Sequence, residues 1–208
     1  MKPAEVVHNF EGSWIIGRPW GEVDEKVTIV AGVVNKIFPV VKSSDIRAMK
    51  YLKIFVNASN CIPAILGVSM QEAFQDLEVA QASIGIWQEG LEIVKKAGIN
   101  LVSLPDFPLE RLTKLVSLPN FEAAKILSGI MTNLSKEPLY GSILQSIHRN
   151  RASEVDYING EFLTLAKDNG LEAALNTRLV ALVHEVERTK RFLSKKEFLD
   201  NVREVAGV

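Results

Sequence analysis

The chain has 208 residues, 47% hydrophobic and 24% charged, with a net charge of −1 and a pI near 6.3. That is the composition of a globular protein, long enough for one core and part of a second domain. The near-zero charge gives no global field to attract nucleic acid, and the single cysteine, Cys61, excludes an internal disulfide and a multi-cysteine zinc site.

The opening "MKPAEVVHNFEG" has an early lysine but no apolar segment or small-residue cleavage site. No secretory signal is expected, and a cytoplasmic location follows. "EVVHNF" and "SWIIG" read as short strands of a hairpin joined at Glu11-Gly12, "DEKVTIVAGVVNKI" as an acid-capped helix, and "FPVVKSS" as another strand. Residues 1–43 are therefore expected to form a β-β-α-β fragment, and residues 44–208 a helical domain.

A helix is predicted through "DIRAMKYLKIFVNASN" behind the N-cap candidates Ser44 and Asp45. It leads into the longest uncharged run, Ile54 to Gln71, which reaches the length of a membrane span only by counting Asn57, Ser59, Asn60, Pro63, Ser69 and Gln71. No membrane is implied. In one continuous helix Lys53, Asn57 and Asn60 stand at i, i+4 and i+7, so they share a polar stripe on an otherwise apolar surface. Two explanations fit: the asparagines bond nearby backbone while Lys53 reaches water, or the stripe lines a site that also needs a carboxylate.

Downstream, "FQDLEVAQASIGIWQEGLEIVKKAG" gives a long helix whose seam runs through Leu77, Ala80, Ile84, Trp87, Leu91 and Val94, with Gly98 just beyond its end. Residues 101–119, with three prolines, read as loop-rich. "PNFEAAKILSGIMTNL" reads as a shorter helix. "SEVDYINGEFLTLAKDNG" is expected to be a helix that starts at Ser153, buries Val155, Ile158 and Phe162, and stops at Gly170. Glu154 and Asp156 would lie in its first turn, where carboxylates favour the helix dipole. "TRLVALVHEVERTKRFL" and "SKKEFLDNVREV" read as the last two helices, with "RTKR" and "KK" on a solvated face.

Several chemistries lack their signatures. There is no G-x-G-x-x-G after a strand and no G-x-x-x-x-G-K, and Gly17 and Gly21 in "GRPWG" have the wrong spacing for a pyrophosphate loop. His8, His148 and His184 are far apart, so no metal is expected, and His184 reads as a packed core histidine.

K-x-x-x-N-x-x-N in an apolar helix, followed by S-x-L-Q, "SEVDYING" and "NTRL", resembles the C-terminal domain of ketopantoate reductases, the 2-dehydropantoate 2-reductases. The resemblance covers Ser44 to about Glu187. It implies an all-helical domain of the 6-phosphogluconate-dehydrogenase-like type, preceded by the last strands and helix of a Rossmann-type NADP-binding domain. It also implies NADPH-dependent reduction of ketopantoate to pantoate, a step of pantothenate biosynthesis. By this resemblance Lys53 is the catalytic proton donor, Asn57, Asn60 and Ser142 bind substrate, and Glu154 lies near the lysine and the cofactor ribose. The pattern departs at Cys61, Ser146 and Leu175, positions that bear on which keto acid is taken. The family's glycine-rich loop should precede this sequence, so NADPH binding by this chain alone is expected to be lost or very weak. The implied partners are a 2-keto acid, a separate nucleotide-binding chain or a longer native chain, and a second copy in a homodimer. A non-catalytic helical dimerisation or ligand-binding module, and a reductase of another 2-keto acid, are the competing readings.

Overall fold

The computed structural model describes residues 12–206, so the strand expected at "EVVHNF" and His8 lie outside the described residues. Within them the protein is mainly helical, with two short parallel strands. It divides into two compact units: the described residues up to Leu52 together with Leu101–Leu109, and the remainder from Lys53 onwards. Among the described residues no helix is long and apolar enough to cross a membrane.

In the first unit β1 (Trp14–Ile16) and β2 (Val40–Lys42) pair in parallel, with Trp14 opposite Val40 and Ile16 opposite Lys42. Parallel neighbours need a crossover, and α1 (Glu25–Val34) provides it. The acid cap expected for α1 is present: Asp24 Oδ1 accepts from the Val27 amide at 2.9 Å. Gly17 is required at the end of β1, because a Cβ there would come within 2.0 Å of the Ser43 carbonyl oxygen. Trp14 stacks on Phe38 at 5.6 Å, and Asp106 accepts from the Ser13 amide at 3.4 Å, tying the 101–109 segment to the start of β1. The described part of the expected β-β-α-β fragment is thus β-α-β.

The division between units falls within α2 (Ile46–Ala58). The second unit continues with α3 (Cys61–Leu66), α4 (Met70–Phe74) and α5 (Leu77–Lys96). Most of α6 (Leu109–Val116) also belongs to it, followed by α7 (Asn120–Thr132) and α8 (Ser142–His148). A 3-10 turn (Val155–Tyr157) leads into α9 (Asn159–Asp168), α10 (Ala174–Thr189) and α11 (Lys195–Ala206). The core is built on α5, which packs against α4, α7, α9, α10 and α11. Of its predicted seam Ala80, Ile84, Trp87 and Val94 are buried and Leu77 and Leu91 half-buried, and Val79, Ala82, Ile86 and Ile93 are buried as well. Gly90 lets α9 come close, since a Cβ there would meet the Phe162 ring at 2.8 Å. Phe162 in turn packs on Phe55 of α2, ring centroids 5.0 Å apart.

Three expectations are corrected. The helix through Asn60 stops at Ala58 and restarts at Cys61. Pro63 cannot donate to the Ser59 carbonyl and would clash with it in a continuous helix, so it is accommodated in the first turn of a new one. The 101–119 loop contains α6, whose Leu112 and Leu115 are buried; its prolines flank the helix and do not interrupt it. The helix expected to start at Ser153 is a 3-10 turn followed by α9, although Val155, Ile158 and Phe162 are buried as expected.

Candidate functional site

Lys53 is exposed on α2, and Asn57 follows one turn later on the same helix, half-buried. Asn60 lies in the turn between α2 and α3, where its amide donates to the Asn57 carbonyl at 2.9 Å. The polar stripe therefore holds for Lys53 and Asn57, while Asn60 is placed by the turn. The Asn60 side chain packs against Gly141, whose missing Cβ would lie 3.3 Å from Asn60 Cβ and Cγ. That contact sets it beside the start of α8, where Ser142 is the first residue and is exposed. Glu154 is half-buried just before the 3-10 turn, and its carbonyl accepts from the Tyr157 amide at 2.9 Å.

The polar side chains of this region fall into two sets. Lys53, Asn57, Asn60, Ser142 and Glu154 make no side-chain hydrogen bond or ion pair with any described residue. Asn159, Asn176 and Glu89, by contrast, are committed to the fold. Asn159 Nδ2 donates to the Ala58 carbonyl at 3.1 Å and to Asn176 Oδ1 at 3.0 Å, and Asn176 Nδ2 donates to Glu89 Oε2 at 2.7 Å. Glu89 also accepts from the Leu175 and Asn176 amides, both at 2.9 Å. This chain of bonds ties the end of α2, which carries Lys53 and Asn57, to α9, α10 and α5. Asn159 and Asn176 stand inside the "SEVDYING" and "NTRL" blocks. Neither their role nor that of Glu89 was legible, because the bonds join residues distant in sequence.

Gln71 is likewise structural: its Nε2 donates to the Ser135 and Glu137 carbonyls, and its Oε1 accepts from the Leu139 amide. His184 corrects another expectation. It is exposed, not packed, and bridges Asp156 Oδ1 at 2.9 Å and Glu187 Oε2 at 3.0 Å. Burial pulls its pKa down, but the bonds to the two carboxylates outweigh that and raise it. Cys61, where a second asparagine is common in the pattern, is wholly buried; burial pushes its thiol up to about 12. A groove of about 550 Å³ lies between α9, α10 and α11, lined by Leu163, Ala166, Arg178 and Ala181 among others. None of the five site candidates lines it. Among the described residues no cluster of three or more metal-ligating side chains occurs.

A nicotinamide dinucleotide is poorly matched by the described residues alone. Crossover helix α1 follows β1, the arrangement in which a helix N-terminus receives a pyrophosphate. Here that N-terminus is occupied by the Asp24 carboxylate, itself held by Arg18 at 2.6 Å.

Comparison with known proteins agrees with the helical architecture. A structure of a PanE/ApbA family ketopantoate reductase from Ralstonia eutropha superposes with a TM-score of 0.66 at 18% identity, over 88% of this chain and 54% of that one. D-mandelate dehydrogenase, solved with NADH and anilino(oxo)acetate, superposes with a TM-score of 0.63 at 21% identity, over 86% of this chain and 54% of that one. In sequence, the 2-dehydropantoate 2-reductase of Archaeoglobus fulgidus is 25% identical over 184 residues, 88% of this chain and 55% of the relative. That of Pyrococcus horikoshii is 31% identical over 147 residues, 70% of this chain and 42% of the relative. The chain thus spans about half the length of the curated relatives it matches. The family described as "Ketopantoate reductase PanE/ApbA C terminal" matches residues 45–187, a stretch that includes all five site candidates and both asparagines of the buried network. With more than half of its length under that match, the chain belongs to the ketopantoate reductase C-terminal family.

Proposed function

We propose that this chain supplies the substrate-binding and proton-donating part of an NADPH-dependent 2-keto acid reductase acting on ketopantoate. The nucleotide-binding half is supplied by other sequence, on the same polypeptide or a separate one. The observation that carries this reading is the division of polar side chains: five residues of the family pattern are left unbonded, while Asn159 and Asn176 of the same matched stretch, with Glu89, are used to hold the fold.

In this reading NADPH bound by that other half would supply a hydride to the C2 carbonyl carbon, and this chain's residues would meet the negative charge left on the carbonyl oxygen. The Lys53 ammonium polarises the carbonyl beforehand and gives its proton to that oxygen, leaving a neutral amine and a 2-hydroxy acid. Asn57 and Asn60 offer amide donors to the substrate's oxygens, and the Ser142 hydroxyl, beside Asn60, binds its carboxylate end. Glu154 orients the lysine and bonds the cofactor ribose. In this proposal the working protein is cytoplasmic and pairs with a second copy of itself, a mass that light scattering measures directly.

The decisive test is ketopantoate-dependent NADPH oxidation by the chain combined with a family nucleotide-binding half. Wild type turns over, and Lys53→Ala loses activity by about 10³-fold or more. Its melting temperature should not move, because Lys53 is exposed and unbonded among the described residues. Wild-type turnover by Lys53→Ala rejects the assignment.

A further inference from the structure

We propose that His184 and Glu187 of α10 are positioning residues for Glu154, an inference that rests on the reading of Glu154 as a site residue. Glu154 stands between two anchored neighbours. On one side the Ser153 amide donates to Glu187 Oε1 at 2.8 Å. On the other, Asp156 Oδ1 faces His184 Nε2 at 2.9 Å. His184 Nδ1 faces Glu187 Oε2 at 3.0 Å, so the two α10 side chains are joined and the loop is closed from Ser153 through Glu187 and His184 to Asp156. The Glu154 side chain has no bond of its own to a described residue, so its direction is set by the backbone held at either side.

The clamp depends on protonation. A neutral imidazole carries one N–H and one lone pair, so it can donate to one carboxylate only; the imidazolium donates to both. The titratable groups facing His184 are Asp156 on the 3-10 turn and Glu187 on its own helix. Burial opposes the charge on His184, but these two carboxylates outweigh it and raise the pKa. For Glu187, burial raises the pKa and the bonds from Ser153 and His184 outweigh it, so the net shift is downward. A raised histidine pKa means its contribution is complete below the unfolded value of about 6.5 and is lost as pH rises through the folded value. A lowered glutamate pKa means the Glu187 contribution is present above its unfolded value and is lost only as pH falls through the folded one. The clamp is therefore closed in mildly acidic solution, and one of its two histidine bonds opens on the alkaline side.

Two measurements test this. In amide hydrogen exchange of the full chain, protection of residues 154–158, relative to the core of α5, should fall by about tenfold as pH rises through the His184 transition. His184→Gln and Glu187→Ala should show the low protection at every pH. With the nucleotide-binding half added, wild-type kcat/KM should decline over the same pH range. His184→Gln should start from a lower kcat, with KM little changed, and lack that inflection. Exchange indifferent to pH and to both substitutions, or a His184→Gln enzyme with the wild-type profile, overturns the proposal. The wild-type exchange series decides even if a variant folds poorly. The two readings separate cleanly: active Lys53→Ala with the exchange result intact defeats the site assignment and leaves the clamp as a structural one, whereas inactive Lys53→Ala with unchanged exchange defeats the clamp alone.

Discussion

Cys61 shows how burial decides chemistry at a single residue. Its thiol is fully enclosed, bonds the Ala58 carbonyl at 3.2 Å, and is pushed up to about 12, so the thiolate is scarce at any ordinary pH. We expect a disulfide reagent at pH 8 to leave the native chain unlabelled and to titrate one thiol in denaturant; rapid native labelling would place Cys61 at a surface. The same kind of reasoning separates the asparagines. Asn57 was legible because it follows Lys53 at helical spacing in a run without charges. Asn60 was legible as a residue but not in its placement, because Pro63 ends the helix that the spacing assumed. Asn159 and Asn176 could not be found from local pattern at all, since each bond they make reaches across the sequence, 101 residues to Ala58 and 17 residues to one another. His184 misled for a related reason: its apolar neighbours in sequence suggest a core position, whereas Asp156, 28 residues away, keeps it at the surface.

Elements with self-contained signals were the easiest to read. Asp24 caps α1 and Gly98 follows α5 with φ of 69°, each as its sequence position suggests, and Asp76 caps α5. At α11 the segment "SKKE" forms a capping box: Ser194 Oγ accepts from the Glu197 amide and Glu197 Oε2 accepts from the Ser194 amide. Bonds from Arg191 and from Ser194 hold the Glu197 carboxyl down at about 2. The short helices α3, α4 and α8 carry too few turns for a period to be seen, and α6 was hidden by the prolines around it. Helix α10 has no local cap, for its N-cap residue is Ala173. Glu89 of α5 takes that role by accepting the Leu175 and Asn176 amides with its two oxygens. Glu89→Gln removes the charge and turns one acceptor into a donor facing an N–H. We expect it to cost about 1–2 kcal/mol of stability in chemical denaturation, the range of a lost N-cap. An unchanged midpoint would mean that water caps α10 equally well.

At the scale of the whole molecule, the two units answer different questions about binding. The helical unit has a core on α5 and carries the five candidate residues whose side chains bond to no described residue. In the first unit, by contrast, α1 buries Val27 and Ala31 but leaves Ile29, Val30 and Val33 at 59%, 51% and 61% exposure, and β1 and β2 pair with no other described strand. Doubly wound sheets bind dinucleotides across several parallel strands, with the pyrophosphate on a helix N-terminus reached through a glycine-rich turn. The described turn before α1 has neither the glycine spacing nor a vacant N-terminus, since the Asp24 carboxylate sits there and would repel phosphate. A fluorescence titration with NADPH should therefore show no saturable binding by this chain alone, and saturable binding once a family nucleotide-binding half is added. The apolar residues of α1 would then be covered by that half, so dye binding to exposed apolar surface should fall in the same mixture. Saturable binding by the chain alone would show that the cofactor does not need the glycine turn, and the division of labour proposed between the two halves would have to be abandoned.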